Sequence, residues 1–374
     1  MKRLLIVTNV DWFLISHRLV VASHALKNGW EVFVACEDTG RSGEITSQGI
    51  HFENLVFSRS GTNLIAEIRS YLKFKNLYRR VKPDVVHHIT IKPVIYGTLA
   101  ARSLGIKGIV NAVSGMGYLF VDGKFGLFQR AVMWLMRKGS NHNSVSYIFQ
   151  NQDDKEVLRK FGVLERVKSV NLIKGSGVSL DEFKYQLPIK KPKLRILFAG
   201  RMLWDKGIRE LRIAADILKN DLGKKIEIRM IGKVDLGNKS AVPLEYLNEW
   251  VDGEYVQWKG HIDDVYSEYV NADVVILPSY REGLPKNLIE ACAVGRPIIT
   301  TDAVGCKDCV DDGINGIIVP VKDAEQLALA IRNIITTPEK LLNMGMSSRR
   351  KAEKDFNVDD VVIKHLEIYN QFIF

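Results

Sequence analysis

Cysteine is scarce, with four in 374 residues, which excludes a disulfide-stapled scaffold and points to a reducing compartment. Cys306 and Cys309 stand in CxxC spacing. A zinc site needs two further ligands, and Cys292 is the one other sulfur nearby in sequence, so structural thiols are expected rather than metal or redox centres. Long apolar runs are missing as well: none reaches the roughly 18 residues that a membrane-spanning helix takes. The opening Met1-Lys-Arg-Leu-Leu-Ile-Val leads into Thr8, Asn9 and Asp11 without a small-residue cleavage site. It is expected to be a first strand rather than a signal peptide, with the protein in the cytoplasm. No Asp-x-Asp pair closes a strand where it would hold a divalent ion against a diphosphate, so no metal is expected.

What is present suits a soluble globular protein, with 46% hydrophobic and 26% charged residues. The length fits two domains of roughly 180 residues, each able to bury a core. The formal net charge of +10 is unevenly placed. Residues 1–183 hold 25 Lys and Arg against 15 Asp and Glu, and residues 184–374 hold 28 against 28. A basic first half implies an anionic partner, either lipid headgroups or a phosphate-bearing acceptor; nucleic acid stays open, and simple solubility is the plain alternative.

Short apolar runs alternate with helical spacing, which predicts α/β architecture built on parallel sheets. Strands are expected at residues 4–7, 31–35, 84–88, 108–112, 146–149 and 168–172, with helices at 15–28 and 94–104 stopped by Gly29 and Gly105. Residues 184–193, lysine-rich and carrying Pro188 and Pro192, read as a linker. A second series follows at 194–199, 226–231, 256–258, 274–277, 298–300 and 316–319. The expected division is a first domain over 1–183, a second over 184–356, and a last helix at 357–374. Two Rossmann-like, doubly wound domains result, and ligands of such sheets bind beyond the carboxyl ends of the strands.

The densest chemistry lies in Pro278-Ser-Tyr-Arg-Glu282-Gly-Leu-Pro-Lys-Asn-Leu-Ile-Glu290, where a buried strand, a loop and a helix ending at Gly295 follow one another. Free N–H groups at a helix start attract anions, so Gly283, Leu284, Pro285 and Lys286 can approach a diphosphate or its sugar, Gly283 without a side chain in the way. Carboxylates accept hydrogen bonds in pairs and vicinal hydroxyls donate in pairs, which suits Glu282 to a transferred sugar and Glu290 to a ribose. Arg201 and Lys206 occupy another strand-to-helix loop, where fixed cations stabilise a departing diphosphate. The plain alternatives are solvated glutamates at a helix start and a pair of exposed basic residues.

These motifs resemble the retaining glycosyltransferases of family four over nearly the whole chain. Glu282 and Glu290 match that family's Glu-x7-Glu pattern, and Gly200-Arg201 with Lys206-Gly207 match its Gly-Arg-x4-Lys-Gly pattern. The resemblance implies a GT-B fold, two Rossmann-like domains facing a cleft, with the last helix returning to the first domain. It implies Glu282 on the donor sugar, Glu290 on the ribose, and Arg201 and Lys206 on the diphosphate, with no cofactor beyond the UDP-sugar substrate. Backbone near Gly232 and His261 reads the base edge in similar enzymes, although strand-to-glycine turns are usually only tight turns. Many relatives place a histidine after the strand at 108–112, where this chain has Ala112-Val113-Ser114.

In the first half, Gly115 and Gly117 would allow close backbone approach to the donor or acceptor, the plain alternative being a loop, and His17 and Arg18 are the candidates to face acceptor phosphates. The acidic residue of a dinucleotide fold is missing, which argues against NAD. His87 and His88 end a strand and point to opposite faces, so one packs inside and His88 is the candidate for the acceptor. Two basic amphipathic stretches, 64–82 and 124–138, suit either a membrane surface or a solvated helix face.

The expected function is transfer of a hexose or N-acetylhexosamine from a UDP-sugar to a polyprenyl-diphosphate-linked saccharide during O-antigen, capsule or glycan assembly. The protein would then sit peripherally on the inner face of the cytoplasmic membrane. A DNA-modifying glucosyltransferase is the alternative suggested by the basic half, and the lack of a disordered basic arm counts against nucleic acid. A non-catalytic sugar-nucleotide sensor could dispense with Arg201, Lys206 and Glu282, all of which are present.

Overall fold

The computed structural model describes residues 1–57, 64–116 and 126–373. The chain forms two compact units, Met1–Ser176 with Asp359–Phe374, and Gly177–Val358. The passage into the second unit comes at Gly177, ahead of the lysine-rich stretch, because Val178 is buried in the second core and bridges to Asn357.

In the first unit, β1 (Lys2–Val10), β2 (Trp30–Glu37), β3 (His51–Asn54), β4 (Val85–Ile89), β5 (Gly108–Val113), β6 (Val145–Phe149) and β7 (Ser169–Leu172) form one sheet. Its order is β3-β2-β1-β4-β5-β6-β7, and the pairs are parallel. Helices α1 (Asp11–His17), α2 (Leu19–Lys27), α3 (Ser42–Thr46), α4 (Leu64–Val81), α5 (Thr98–Ser103), α6 (Leu127–Ser140) and α7 (Gln152–Lys160) connect them. One core gathers Phe74 and Leu77 of α4, Ala101 of α5, Met136 of α6 and Leu158 of α7 against the sheet. The opposite face packs on Leu14, Val21 and Ala25 and on residues 361–372. A sheet covered on both faces needs apolar side chains in both directions, which is why Leu4, Leu5, Ile6 and Val7 are all buried in succession.

The second unit repeats the plan. Strands β8 (Leu194–Ala199), β9 (Ile226–Ile231), β10 (Val256–Trp258), β11 (Val274–Leu277), β12 (Ile298–Thr301) and β13 (Gly316–Val319) lie in the order β10-β9-β8-β11-β12-β13, parallel at each pair. Its helices are α8 (Ile208–Leu222), α9 (Leu244–Trp250), α10 (Val265–Val270), α11 (Lys286–Val294), α12 (Ala324–Ile335) and α13 (Pro338–Asp355), and α14 (Val358–Asn370) continues into the first unit. One device recurs in both sheets. Asp84 Oδ2 accepts from the Arg3 N–H at 2.9 Å, and Asp273 Oδ2 from the Arg195 N–H at 2.7 Å. Arg3 pairs with Glu31 on the next strand as Arg195 does with Glu227. Each acid thereby ties the strand across the switch point to the sheet's first strand.

Two departures from expectation have local causes. The helix expected over 15–28 breaks at Arg18, whose φ of −139° lies outside the helical region. Its guanidinium turns inward, and Nη1 donates to the His17 carbonyl at 2.8 Å. Strand β3 goes beyond the expected set because His51-Phe-Glu-Asn is a polar, half-exposed edge strand without an apolar run.

Buried imidazoles make the first unit acid-sensitive. His88 receives the Tyr78 hydroxyl at Nε2 (2.7 Å) and lies 2.8 Å from Asn111 Oδ1 through Nδ1. Burial pushes its pKa down to about 4, and that of His365 down to about 3. Below pH of about 6.5 the unfolded chain therefore binds protons that the folded chain refuses, so stability falls as pH drops through that window and stops changing near the folded values. Thermal melts are expected to show a lower Tm at pH 5 than at pH 7, the loss of stability reaching at most about 1.4 kcal/mol per histidine per pH unit. His365→Leu should flatten the slope; an unchanged slope would mean that another group carries it.

Candidate active site

Strand order reverses between β8 and β11, and that reversal opens a crevice beyond the carboxyl ends of the two strands. Arg201 and Lys206 follow β8, and Glu282 and Glu290 follow β11. Both loops are sewn together by backbone. The Tyr280 N–H donates to the Asp205 carbonyl at 2.9 Å, and the Glu282 N–H to that of Val304 at 2.9 Å. Gly207 makes the approach possible: at φ +75° it takes a conformation that side chains rarely adopt, and a Cβ there would lie 2.1 Å from the Pro278 carbonyl oxygen. Gly305 does the same on the other side, where a Cβ would lie 2.5 Å from the carbonyl oxygens of Glu282 and Gly283.

This stitching brings Lys206 and Glu282 together, 76 residues apart in sequence, as a part-buried ion pair. The Ser279 hydroxyl lies 2.7 Å from Glu282 Oε1 and 2.9 Å from the Asp205 carbonyl oxygen, with one proton to share between them. Arg201 stands apart from that pair. Its Nη1 meets Asp235 Oδ2 at 2.7 Å, and its side chain is 44% exposed against 18% for Lys206.

Glu290 is buried on α11, where Tyr269 donates to Oε2 at 3.1 Å and Lys286 Nζ lies 3.3 Å from Oε1. Burial pushes its pKa up, and the charge of Lys286 and the two hydrogen bonds oppose that. Pro285 caps the helix without a side-chain hydrogen bond, and Asn287 Nδ2 binds the Ala199 carbonyl, locking the first turn of α11 to the end of β8. The side chain of Leu284 belongs to the second core, so it offers a ligand only its backbone.

Other expected residues fall differently. The Gly232 N–H donates to the Gly260 carbonyl at 2.6 Å, and its own carbonyl accepts from Trp258 Nε1 at 3.0 Å, so this backbone is engaged inside the unit. The His261 ring is half-exposed, 3.2 Å from Asp263. In the first unit His17 stacks on Phe13 at 4.2 Å and its Nδ1 lies 2.6 Å from Ser16 Oγ. Arg18 and His88 require correction as acceptor residues. Both are buried: Arg18 turns inward at the break between α1 and α2, its pKa held at about 10 by desolvation, and His88 sits on a strand covered on both faces and is closed off by Tyr78 and Asn111. His87 is buried too, with Nδ1 2.7 Å from the Tyr369 hydroxyl. Gly115 has φ +100° after β5, whereas Gly117 lies outside the described residues. The thiols of Cys292 and Cys306 are pushed up to about 12 by burial, and burial raises that of Cys309 as well, so all three are protonated and unreactive at neutral pH.

Residues 3–149 match the family model of glycosyl transferase 4-like proteins, and residues 180–351 that of glycosyl transferases group 1. The chain belongs to the glycosyltransferases. Among similar proteins, an N,N'-diacetylbacillosaminyl-diphospho-undecaprenol alpha-1,3-N-acetylgalactosaminyltransferase of Campylobacter jejuni is 25% identical over 92% of this chain and 92% of its own. The UDP-Gal:alpha-D-GlcNAc-diphosphoundecaprenol alpha-1,3-galactosyltransferase of Escherichia coli is 23% identical over 91% and 89%. The solved sucrose-phosphate synthase of Thermosynechococcus elongatus superposes with a TM-score of 0.78 at 18% identity, over 99% of both chains, and the fold is GT-B.

The structure of this glycosyltransferase adds residues that the sequence reading passed over. Ser279 lies three residues before Glu282 in the same loop, and that closeness in sequence was the signal for its contact with the carboxylate. Tyr269 had none, since it lies on α10, before the motif begins, and reaches Glu290 only through packing.

Proposed function

We propose that the protein is a retaining glycosyltransferase moving a hexose or N-acetylhexosamine from a UDP-sugar to a polyprenyl-diphosphate-linked saccharide in surface-polysaccharide assembly, at the inner face of the cytoplasmic membrane. The contact of Lys206 with Glu282 at the strand-order reversal carries the reading. It puts a cation suited to a leaving diphosphate beside a carboxylate suited to sugar hydroxyls, within hydrogen-bonding reach of one another. The acceptor class is supported by the similarity to the two undecaprenyl-diphosphate enzymes, and a UDP donor by the name of the second.

In this mechanism the C1–O bond to the β-phosphate breaks as negative charge grows on the diphosphate. Lys206, with Arg201 at the rim, stabilises that charge without a metal. The acceptor hydroxyl attacks from the face the diphosphate leaves, so the departing oxygen takes its proton and no separate base is needed. Glu282 and the backbone of Gly283 to Lys286 hold the sugar, and Glu290 holds the ribose. Gly115, Gly117, Gly232 and His261 remain candidates for the donor, and His17 for the acceptor.

Purified protein given a panel of UDP-sugars is expected to release UDP fastest with one hexose or N-acetylhexosamine donor, and only when undecaprenyl-diphosphate-linked saccharide is supplied. Release of UDP with duplex DNA and not with the lipid-linked saccharide would overturn the acceptor assignment.

A further inference from the structure

We propose that Tyr269 is a positioning residue for the donor's ribose: its hydroxyl holds the Glu290 carboxylate in the orientation that accepts both vicinal hydroxyls of the nucleotide. The inference rests on the reading that Glu290 binds the ribose, and it adds a residue from outside the Glu-x7-Glu motif.

A buried tyrosine brings a polar end that needs a partner. Tyr255, buried in the same unit, gives its hydroxyl to a backbone carbonyl, that of Ala215, at 2.8 Å. Tyr269 gives its own to a carboxylate, Glu290 Oε2, at 3.1 Å, and both side chains are buried. Packing alone does not ask for such a pair, because taking a carboxylate out of water costs more than one hydrogen bond returns.

The arrangement suits a diol. A carboxylate has two oxygens and about four lone-pair positions. Tyr269 occupies one on Oε2, and Lys286 Nζ, 3.3 Å away, one on Oε1. One position on each oxygen stays open, a match for two neighbouring hydroxyl donors, and the Glu290 side chain keeps 9% of its surface exposed for them to reach.

The two protein donors are not equivalent. Lys286 has a flexible stem and is 31% exposed. Tyr269 is fixed: its ring meets Phe183 edge to face, centroids 6.2 Å apart. The Phe183 carbonyl accepts from Arg349 Nη1 at 3.0 Å, and the same Nη1 donates to the Ala293 carbonyl of α11 at 2.9 Å. Arg349 of α13 thereby ties the helix that carries Glu290 to the residue against which the Tyr269 ring rests. Burial pushes the Glu290 pKa up and the Tyr269 hydrogen bond opposes it, so the hydroxyl also favours the ionised form, which can accept from two donors more.

Calorimetric titration of the full chain compares UDP with 2′-deoxy-UDP, which lacks one of the two hydroxyls. The parent is expected to prefer UDP about tenfold or more. Tyr269→Phe keeps the ring against Phe183 and removes only the oxygen. It should lower UDP affinity about threefold to tenfold and 2′-deoxy-UDP affinity by less, so that the preference shrinks. In transfer assays it should raise KM for the UDP-sugar and leave kcat near that of the parent, because a ribose contact is made alike in ground and transition state; a partly misfolded chain would instead lower kcat at unchanged KM. Added to Glu290→Ala, Tyr269→Phe should cost UDP affinity nothing further. A Tyr269→Phe chain that keeps the parental preference, or whose loss adds in full to that of Glu290→Ala, would overturn the proposal; where Glu290→Ala alone abolishes the preference, the ribose reading then stands without it. A parent that shows no preference, with a Glu290→Ala chain that binds UDP unimpaired, removes the ribose reading and this inference together.

Discussion

Glu282→Gln is expected to lower the rate of sugar transfer by about 10²–10³-fold while UDP binds at least as tightly as before. The reason lies in the partner that Glu282 holds. With no donor bound, its carboxylate engages Lys206 and accepts from Ser279. A sugar nucleotide has to separate that pair, the diphosphate taking Lys206 and the sugar hydroxyls taking Glu282. Glutamine keeps the shape and one acceptor oxygen but loses the charge, so it releases Lys206 to the diphosphate at no electrostatic cost while binding the hydroxyls more weakly. Calorimetric titration with UDP and a transfer assay separate the two effects. Glu290→Ala makes the contrasting control, because it removes the ribose contact and leaves Tyr269 and Lys286 without their carboxylate. There UDP affinity should fall about tenfold or more. Full activity in the Glu282→Gln enzyme would remove Glu282 from the sugar site.

Lys206→Met is expected to cost a comparable factor in kcat/KM, about 10²–10³, and considerably more than Arg201→Met. Exposure ranks the two. Lys206 is largely withdrawn from water, where a charge acts through a lower effective dielectric, whereas Arg201 is solvated and already paired with Asp235. Replacing Lys206 also leaves Glu282 without its cation, so UDP affinity and transfer should both drop, unlike the Glu282 variant. Equal losses in the two variants, measured as kcat/KM for the UDP-sugar, would show that burial does not set their roles.

Much of this was legible in the sequence because parallel strands buried on both faces announce themselves. The runs at 194–199, 226–231, 256–258, 274–277 and 316–319 coincide with β8, β9, β10, β11 and β13, since a continuous apolar stretch of strand length has few other uses in an α/β chain. The edge strand β3 was not legible, because half of it faces solvent and its residues are polar. In the site, Glu282, Lys206, Arg201 and Glu290 could be found from motif spacing, but their partnership could not. Whether Lys206 reaches Glu282 or Asp235 depends on Gly207 lying against Pro278, a contact between segments some 70 residues apart. The error over His88 has the same origin. Alternation along a strand predicts one inward and one outward face, and both faces of β4 are covered, so both imidazoles are interior.

A crystal of the protein soaked with UDP addresses the central claim most directly. The account predicts electron density beyond β8 and β11, with ribose hydroxyls on the Glu290 carboxylate, the diphosphate within reach of Lys206 and Arg201, and Lys206 drawn away from Glu282. UDP bound with its diphosphate away from both cations, or no UDP at that crevice at concentrations that saturate binding in solution, would contradict it.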